Sequence, residues 1–394
     1  MALPDQRRLL VQYLEPSPAV DSLSPAVARD HLARALDQLP VTDLALGWRL
    51  RPELVSAVRS VVPSDITVWR WVPVFVDSGE GRRADELVAV GPRGVPPPPF
   101  GDMADFRFLC LDEQDVVEAG LARSIELARE TEADGVLLDR IRWHSSSQDP
   151  AHELTCFCSA SQRTAAQAGL DLAWVAADVT AMADTLVGRR ALVSALLGRA
   201  VDGPLADFLD WRAATVTRVV ERLGAGLREA GLRAALDVFT PALARSVGQD
   251  LAALGPLGEW SKSMTYFEAL GPASMPFELG GYARWLEAAG EKDAPGFLAD
   301  LLGFPAPGIA GRGAQSEALG QETASLIEAI GIARSVVGLD AVEIPAVCEV
   351  ADEDLDARIG TLRLVGVGLS PCWELLFMDE RRTQLIAEAW HTRE

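Results

Sequence analysis

Carboxylates recur where apolar runs give out. Gly135-Val136-Leu137-Leu138 runs into Asp139 and then Arg140-Ile141-Arg142. Leu232 to Asp237, Val342 to Glu349 and Leu364 to Glu374 repeat the form, and Glu268 follows Tyr266-Phe267. Acids gathered along one edge of a sheet can pass protons and stabilise positive charge, the tasks of glycosidic bond cleavage. Asp139 is the foremost candidate, as nucleophile or acid/base. The competing reading is a carboxylate held in an ion pair. Glu349 closes Ile344-Pro345-Ala346-Val347-Cys348, but Asp352, Glu353 and Asp354 follow it, and acidic runs are usually solvated. Asp237, Glu268 and Glu374 form a second tier, read individually as binding or structural carboxylates.

Other groups could hold a hydroxylated ligand. Arg142 and Lys262 can bond hydroxyls or a carboxylate. Lysine occurs only at Lys262 and Lys292. A desolvated lysine can form a Schiff base, but pairing with a strand-end acid explains Lys262 more simply. Aromatic faces stack on sugars, and Trp143, Tyr266 and Trp373 are the aromatics chosen for that role. Trp48, Trp69 and Trp71 read as core, with one of Trp69 and Trp71 inward and the other outward. His144, His152, Cys156 and Cys158 share one loop. Cys-x-Cys lacks the usual zinc spacing, so thiols packing a loop is the preferred reading and no metal is assigned. No Gly-x-Gly-x-x-Gly or Walker-type loop occurs, and no cofactor is expected.

These residues need elements to position them. Short apolar runs predict strands at 43–48, 66–75, 106–111, 135–142, 232–239, 261–267, 342–350 and 365–369. Helical periodicity fills the gaps, for instance Ala26 to Gln38 after Ser24-Pro25 and Leu205 to Gly231. Residues 1–25 read as an irregular lead-in, and 78–101 as a loop with a small hairpin around Glu86 to Val90. The alternation predicts an α/β fold, a (β/α)8 TIM barrel whose strand ends carry the chemistry. Residues 1–394 form one domain, with helical insertions after strands four and six at about 143–204 and 268–337. The loop from Trp143 to Cys158, with Ser145–Ser147, is expected to overhang the mouth.

The chain has 57 acidic and 36 basic residues, a formal charge of −21. Such a surface repels phosphate backbones, so nucleic acid is not an expected partner. No apolar run fits a secretory signal or a membrane span, and five scattered cysteines do not form a disulfide framework. A cytoplasmic protein is expected.

Several motifs together carry a resemblance. They are Asp134-Gly135-Val136-Leu137-Leu138-Asp139-Arg140-Ile141-Arg142, Cys156-Phe157-Cys158, Gly248-Gln249-Asp250-Leu251, Trp260-Ser261-Lys262-Ser263-Met264-Thr265-Tyr266, and Gly368-Leu369-Ser370-Pro371-Cys372-Trp373-Glu374-Leu375-Leu376. Over about residues 106–390 the chain resembles a group of bacterial glycoside-hydrolase-like TIM barrels. The resemblance implies hydrolysis or transfer of a glycosidic bond in a small carbohydrate or glycoside. It makes Asp139 with Glu349 the natural pair, and Asp237 the alternate partner. A carboxyl gap of about 5–5.5 Å means retention, and about 6.5–9.5 Å inversion. The chain departs from the pattern at Ser161, where a third cysteine is expected. It also departs at Trp373-Glu374, where Trp-Asp is expected, with Pro371-Cys372 inserted before it. Those departures leave a non-catalytic carbohydrate-binding barrel as the alternative, with a Lys262 lyase as a third reading.

Overall fold

Leu9, Val11 and Tyr13 pack outward with Ala28 and Leu32, while Leu10 joins Ala45, Trp69, Leu137, Ala235 and Trp260 on the opposite face. This alternation, with both faces buried, is what a parallel strand under helices requires. The computed structural model describes residues 8–77, 87–99, 107–266, 271–302, 343–345, 368–372 and 374–391.

Ten strands occur among the described residues: β1 (Arg8–Tyr13), β2 (Asp43–Leu46), β3 (Thr67–Pro73), β4 (Val76–Asp77), β5 (Arg107–Phe108), β6 (Gly135–Asp139), β7 (Arg233–Val238), β8 (Ser261–Ser263), β9 (Glu343–Pro345) and β10 (Gly368–Leu369). Eight of them form one sheet in the order β10-β1-β2-β3-β6-β7-β8-β9, every pair parallel. The sheet curls, so that β9 and β10 at the two ends of the order approach within 8 Å between Cα atoms. All C-terminal strand ends therefore open on one side.

Two expectations are corrected. The lead-in is not irregular: β1 pairs with both β2 and β10. The run at 106–111 is not a strand of the main sheet: β5 pairs antiparallel with β4, and Val88 bridges Leu109 beside it. Apolar alternation marks a strand but not the sheet it joins. One strand is gained and one lost, so Asp139 still ends the fourth strand of the main sheet. Trp69 and Trp71 are also corrected, since both face inward. Residues two apart on a strand share a face.

The helices follow the sequence closely. Helix Pro25–Gln38 begins at Ser24, whose Oγ accepts from Val27 N at 3.2 Å, with Pro25 in the first turn. Five helices separate β6 from β7, the longest Pro204–Glu229, and Met275–Glu287 and Ala294–Leu302 follow β8. Among the described residues no helix is long and apolar enough to cross a membrane.

Candidate active site

The inward side chains stack in layers. The lower one is dry: Leu10, Ala45, Leu137 and Ala235 surround Trp69 and Trp260, whose rings meet edge to face at 5.0 Å. Above it, toward the C-terminal ends, the layer turns polar. Gln12, Asp139, Asp237 and Lys262 are buried there beside Trp71.

Lys262 is the hub. Its ammonium lies 2.8 Å from Asp237 Oδ2, donates to Tyr266 Oη at 2.9 Å, and also donates to Gln12 Oε1. Asp237 Oδ1 has no hydrogen-bond partner among the described residues. Burial pushes the Asp237 carboxyl up to about 7; Lys262 opposes the shift and Asp139 adds to it. With acceptors on all sides, Lys262 is arranged as a donor, not as a nucleophile.

Asp139 stands one strand away. Leu138 pairs with Leu236, so Asp139 and Asp237 follow at the same level on neighbouring strands. Trp71 Nε1 donates to Asp139 Oδ2 at 3.0 Å, and the Arg140 backbone N–H donates to Oδ1. Arg140 adopts φ +53°, a left-handed conformation that only glycine takes without cost. The turn brings Arg140 Nε to 3.8 Å from Asp139 Oδ2 and its guanidinium to 5.3 Å from the Trp48 ring centre. Trp48 in turn meets Trp71 edge on at 5.1 Å.

A third carboxyl was not foreseen. Glu15 follows β1 and is half-buried. Burial raises it to about 7, with Arg140 and Lys262 opposing and Asp139 adding. Although β2 and β3 lie between β1 and β6, Glu15 shares the electrostatic environment of Asp139 and Lys262. A signal existed in the sequence: Leu9 to Leu14 is an apolar run that ends on an acid, like the others.

Glu374 proves to be a brace. It accepts from Leu14 N at 3.1 Å and Leu376 N at 3.0 Å, and also from Glu15 N. It thus holds the backbone that presents Glu15. Trp143 is core: it stacks on Trp211 at 6.3 Å and donates to Arg212 O at 3.3 Å. Arg142 is fully buried between Phe108 and Phe239, 4.6 and 4.7 Å from their ring centres, and burial lowers it to about 10. Ser145, Ser146 and Ser147 are buried too, with Ser145 donating to Glu278. The segment from Trp143 to Ser147 therefore packs inward instead of forming an open wall. Glu349, Glu268 and Trp373 lie outside the described residues. The described residues able to hold a metal, Cys110, Cys156 and Cys158, do not belong to this layer.

No family model and no curated protein matches the sequence. Solved structures do match. The glycoside hydrolase domain of PgaB (BpsB) from Bordetella bronchiseptica aligns with a TM-score of 0.54 at 14% identity, covering 99% of this chain and 100% of that one. Alpha-L-fucosidase isoenzyme 2 from Paenibacillus thiaminolyticus aligns at 0.50 and 12% identity, covering 98% of this chain and 49% of that one. At such identities the likeness concerns the fold alone: this chain has a glycoside-hydrolase-like α/β fold with a curled parallel sheet.

Proposed function

We propose that this chain is a glycoside hydrolase or transglycosidase on a single (β/α)8 barrel, with helical insertions after its fourth and sixth strands, β6 and β8. The observation that carries the reading is the carboxyl group of Asp139 at the C-terminal end of β6, with Asp237 beside it on β7 and Glu15 coupled to both Asp139 and Lys262. Barrel chemistry sits at such strand ends. Asp139 acts as nucleophile or base. Glu15, raised to about 7, is a carboxyl able to hold its proton near neutrality, which a general acid needs. Glu349, which lies outside the described residues, is the other candidate partner, as the resemblance implies. Asp237 and Lys262 set the charge beside Asp139. Tyr266 and Trp48 supply aromatic surface for a small carbohydrate or glycoside.

One observation favours a carbohydrate-binding barrel without turnover. Trp71 and the Arg140 backbone already occupy both oxygens of Asp139. A panel of aryl glycosides separates the readings. Asp139→Asn should lose turnover, and Glu349→Gln and Glu15→Gln report which partner serves as acid. Unchanged turnover in all three, against a responsive wild type, would sink the proposal. Calorimetric binding with no turnover in the wild type would establish the alternative.

A further inference from the structure

Three cysteines from two distant parts of the chain, Cys110 and the neighbours Cys156 and Cys158, meet beside the two-stranded β4–β5 sheet. The sulfur atoms of Cys110, Cys156 and Cys158 all lie within 4.8 Å of one another, and Cys110 and Cys158 approach to 3.3 Å. Cys110 and Cys156 are wholly buried, and Cys158 is half-buried. Zinc–sulfur bonds of about 2.3 Å put thiolates of a tetrahedral site roughly 3.8 Å apart. The 3.3 Å contact lies slightly inside that value, and the other two separations stay within 4.8 Å. Little movement is needed to close the three sulfurs on one ion.

Backbone N–H groups point at two of the sulfurs. Cys158 caps helix Ser159–Gln167 and its sulfur accepts from Ser161 N at 3.5 Å. Val90 N donates to Cys156 Sγ at 3.4 Å. The fourth tetrahedral corner is polar. Ser161 Oγ lies 3.4 Å from Cys110 Sγ and 3.7 Å from Cys158 Sγ, and donates to Asp112 Oδ2 at 2.8 Å. Asp112 in turn accepts from Arg218 at 3.3 Å. This is an oriented outer layer of the kind that steadies metal ligands.

We infer that Cys110, Cys156 and Cys158 bind one zinc ion, with the Ser161 hydroxyl or a water held by it as fourth ligand. The ion staples the segment after β5 to the loop after β6. Soft thiolates select zinc over magnesium or calcium. Each thiol that binds releases its proton to solvent. The role is structural, and it stands apart from the carboxylate layer and from any glycosidase activity.

The test uses the full chain, purified under reducing conditions after growth with zinc. About one zinc per chain is expected by elemental analysis. Replacement by cobalt(II) should give thiolate-to-cobalt charge-transfer absorption, and chelation should lower the melting temperature. Cys158→Ser changes the most accessible ligand and should lose the metal, while Cys372→Ser, at a buried thiol elsewhere, should keep it. Wild-type protein without zinc and without cobalt charge transfer would overturn the inference, and so would full zinc content in folded Cys158→Ser. Recovery of a Cys110–Cys158 disulfide from that reduced preparation would also overturn it.

Discussion

Lys262 Nζ lies 2.8 Å from Asp237 Oδ2, and the two side chains are 0% and 1% exposed. Each charge is tolerated inside the sheet because of the other. Removing one partner leaves a buried charge uncompensated, which costs about 3–5 kcal/mol. Lys262→Met should therefore destabilise the protein by about that amount in urea unfolding. The double variant Lys262→Met, Asp237→Leu should recover much of the loss. A single variant as stable as wild type would mean that Asp237 is neutral when buried.

Glu15 sets an expected pH dependence. Its ordinary value is 4.5 and burial raises it to about 7. The protonated acid is therefore present below about 7 and lost as pH rises through it. Turnover should fall along that alkaline limb. Glu15→Gln should remove the limb and lower the rate at pH 6 by about 10²–10⁴-fold. An intact limb in Glu15→Gln would assign the acid role elsewhere, with Glu349 next in line.

Arg140 pairs backbone strain with a functional contact. At φ +53° a non-glycine residue carries about 1–2 kcal/mol that glycine does not. Arg140→Gly should thus be more stable than Arg140→Ala by about 1 kcal/mol, the reverse of the usual helix or strand ranking. Both should lose activity through the missing guanidinium near Asp139. Equal stability of the two variants would show that the turn relaxes.

Gly248 tests the burial of Trp143. It sits at φ +73°, and a Cβ there would come 2.6 Å from Trp143 Cδ1. Gly198 has a similar φ of +83°, but a Cβ there would come no nearer than 3.9 Å, to Arg245 Cδ. Gly248→Ala should lower the melting temperature clearly more than Gly198→Ala, because it adds a clash to the same strain. Similar losses would mean that Trp143 is not packed there.

The parts of the site that the sequence disclosed are those tied to local pattern. Asp139 and Asp237 each end an apolar run, Lys262 lies in the short stretch 261–267 that also reads as a strand, and the structure brings the three to one layer. Glu15 escaped because a short strand beside Pro16 and Pro18 looks like a loop, and only pairing with β2 and β10 makes it a strand. The run 106–111 failed in the opposite way, since its alternation does not say which partner it finds. Cys110 was hidden by distance: 48 residues separate it from Cys158, beyond any local metal spacing. Trp143 was misplaced because aromatic residues near a strand end serve a mouth and a core equally well.

On the proposed function, Asp139 either attacks the anomeric carbon or takes the proton of the water that does. The direct measurement is turnover of an activated aryl glycoside by Asp139→Ala, with and without azide. A small anion can enter the space of a deleted catalytic carboxylate and attack in its place. A loss of about 10²-fold or more in kcat/KM is expected, partly restored by azide with glycosyl azide as product. Wild-type turnover in Asp139→Ala would contradict it, as would folded, inactive protein that azide leaves inactive.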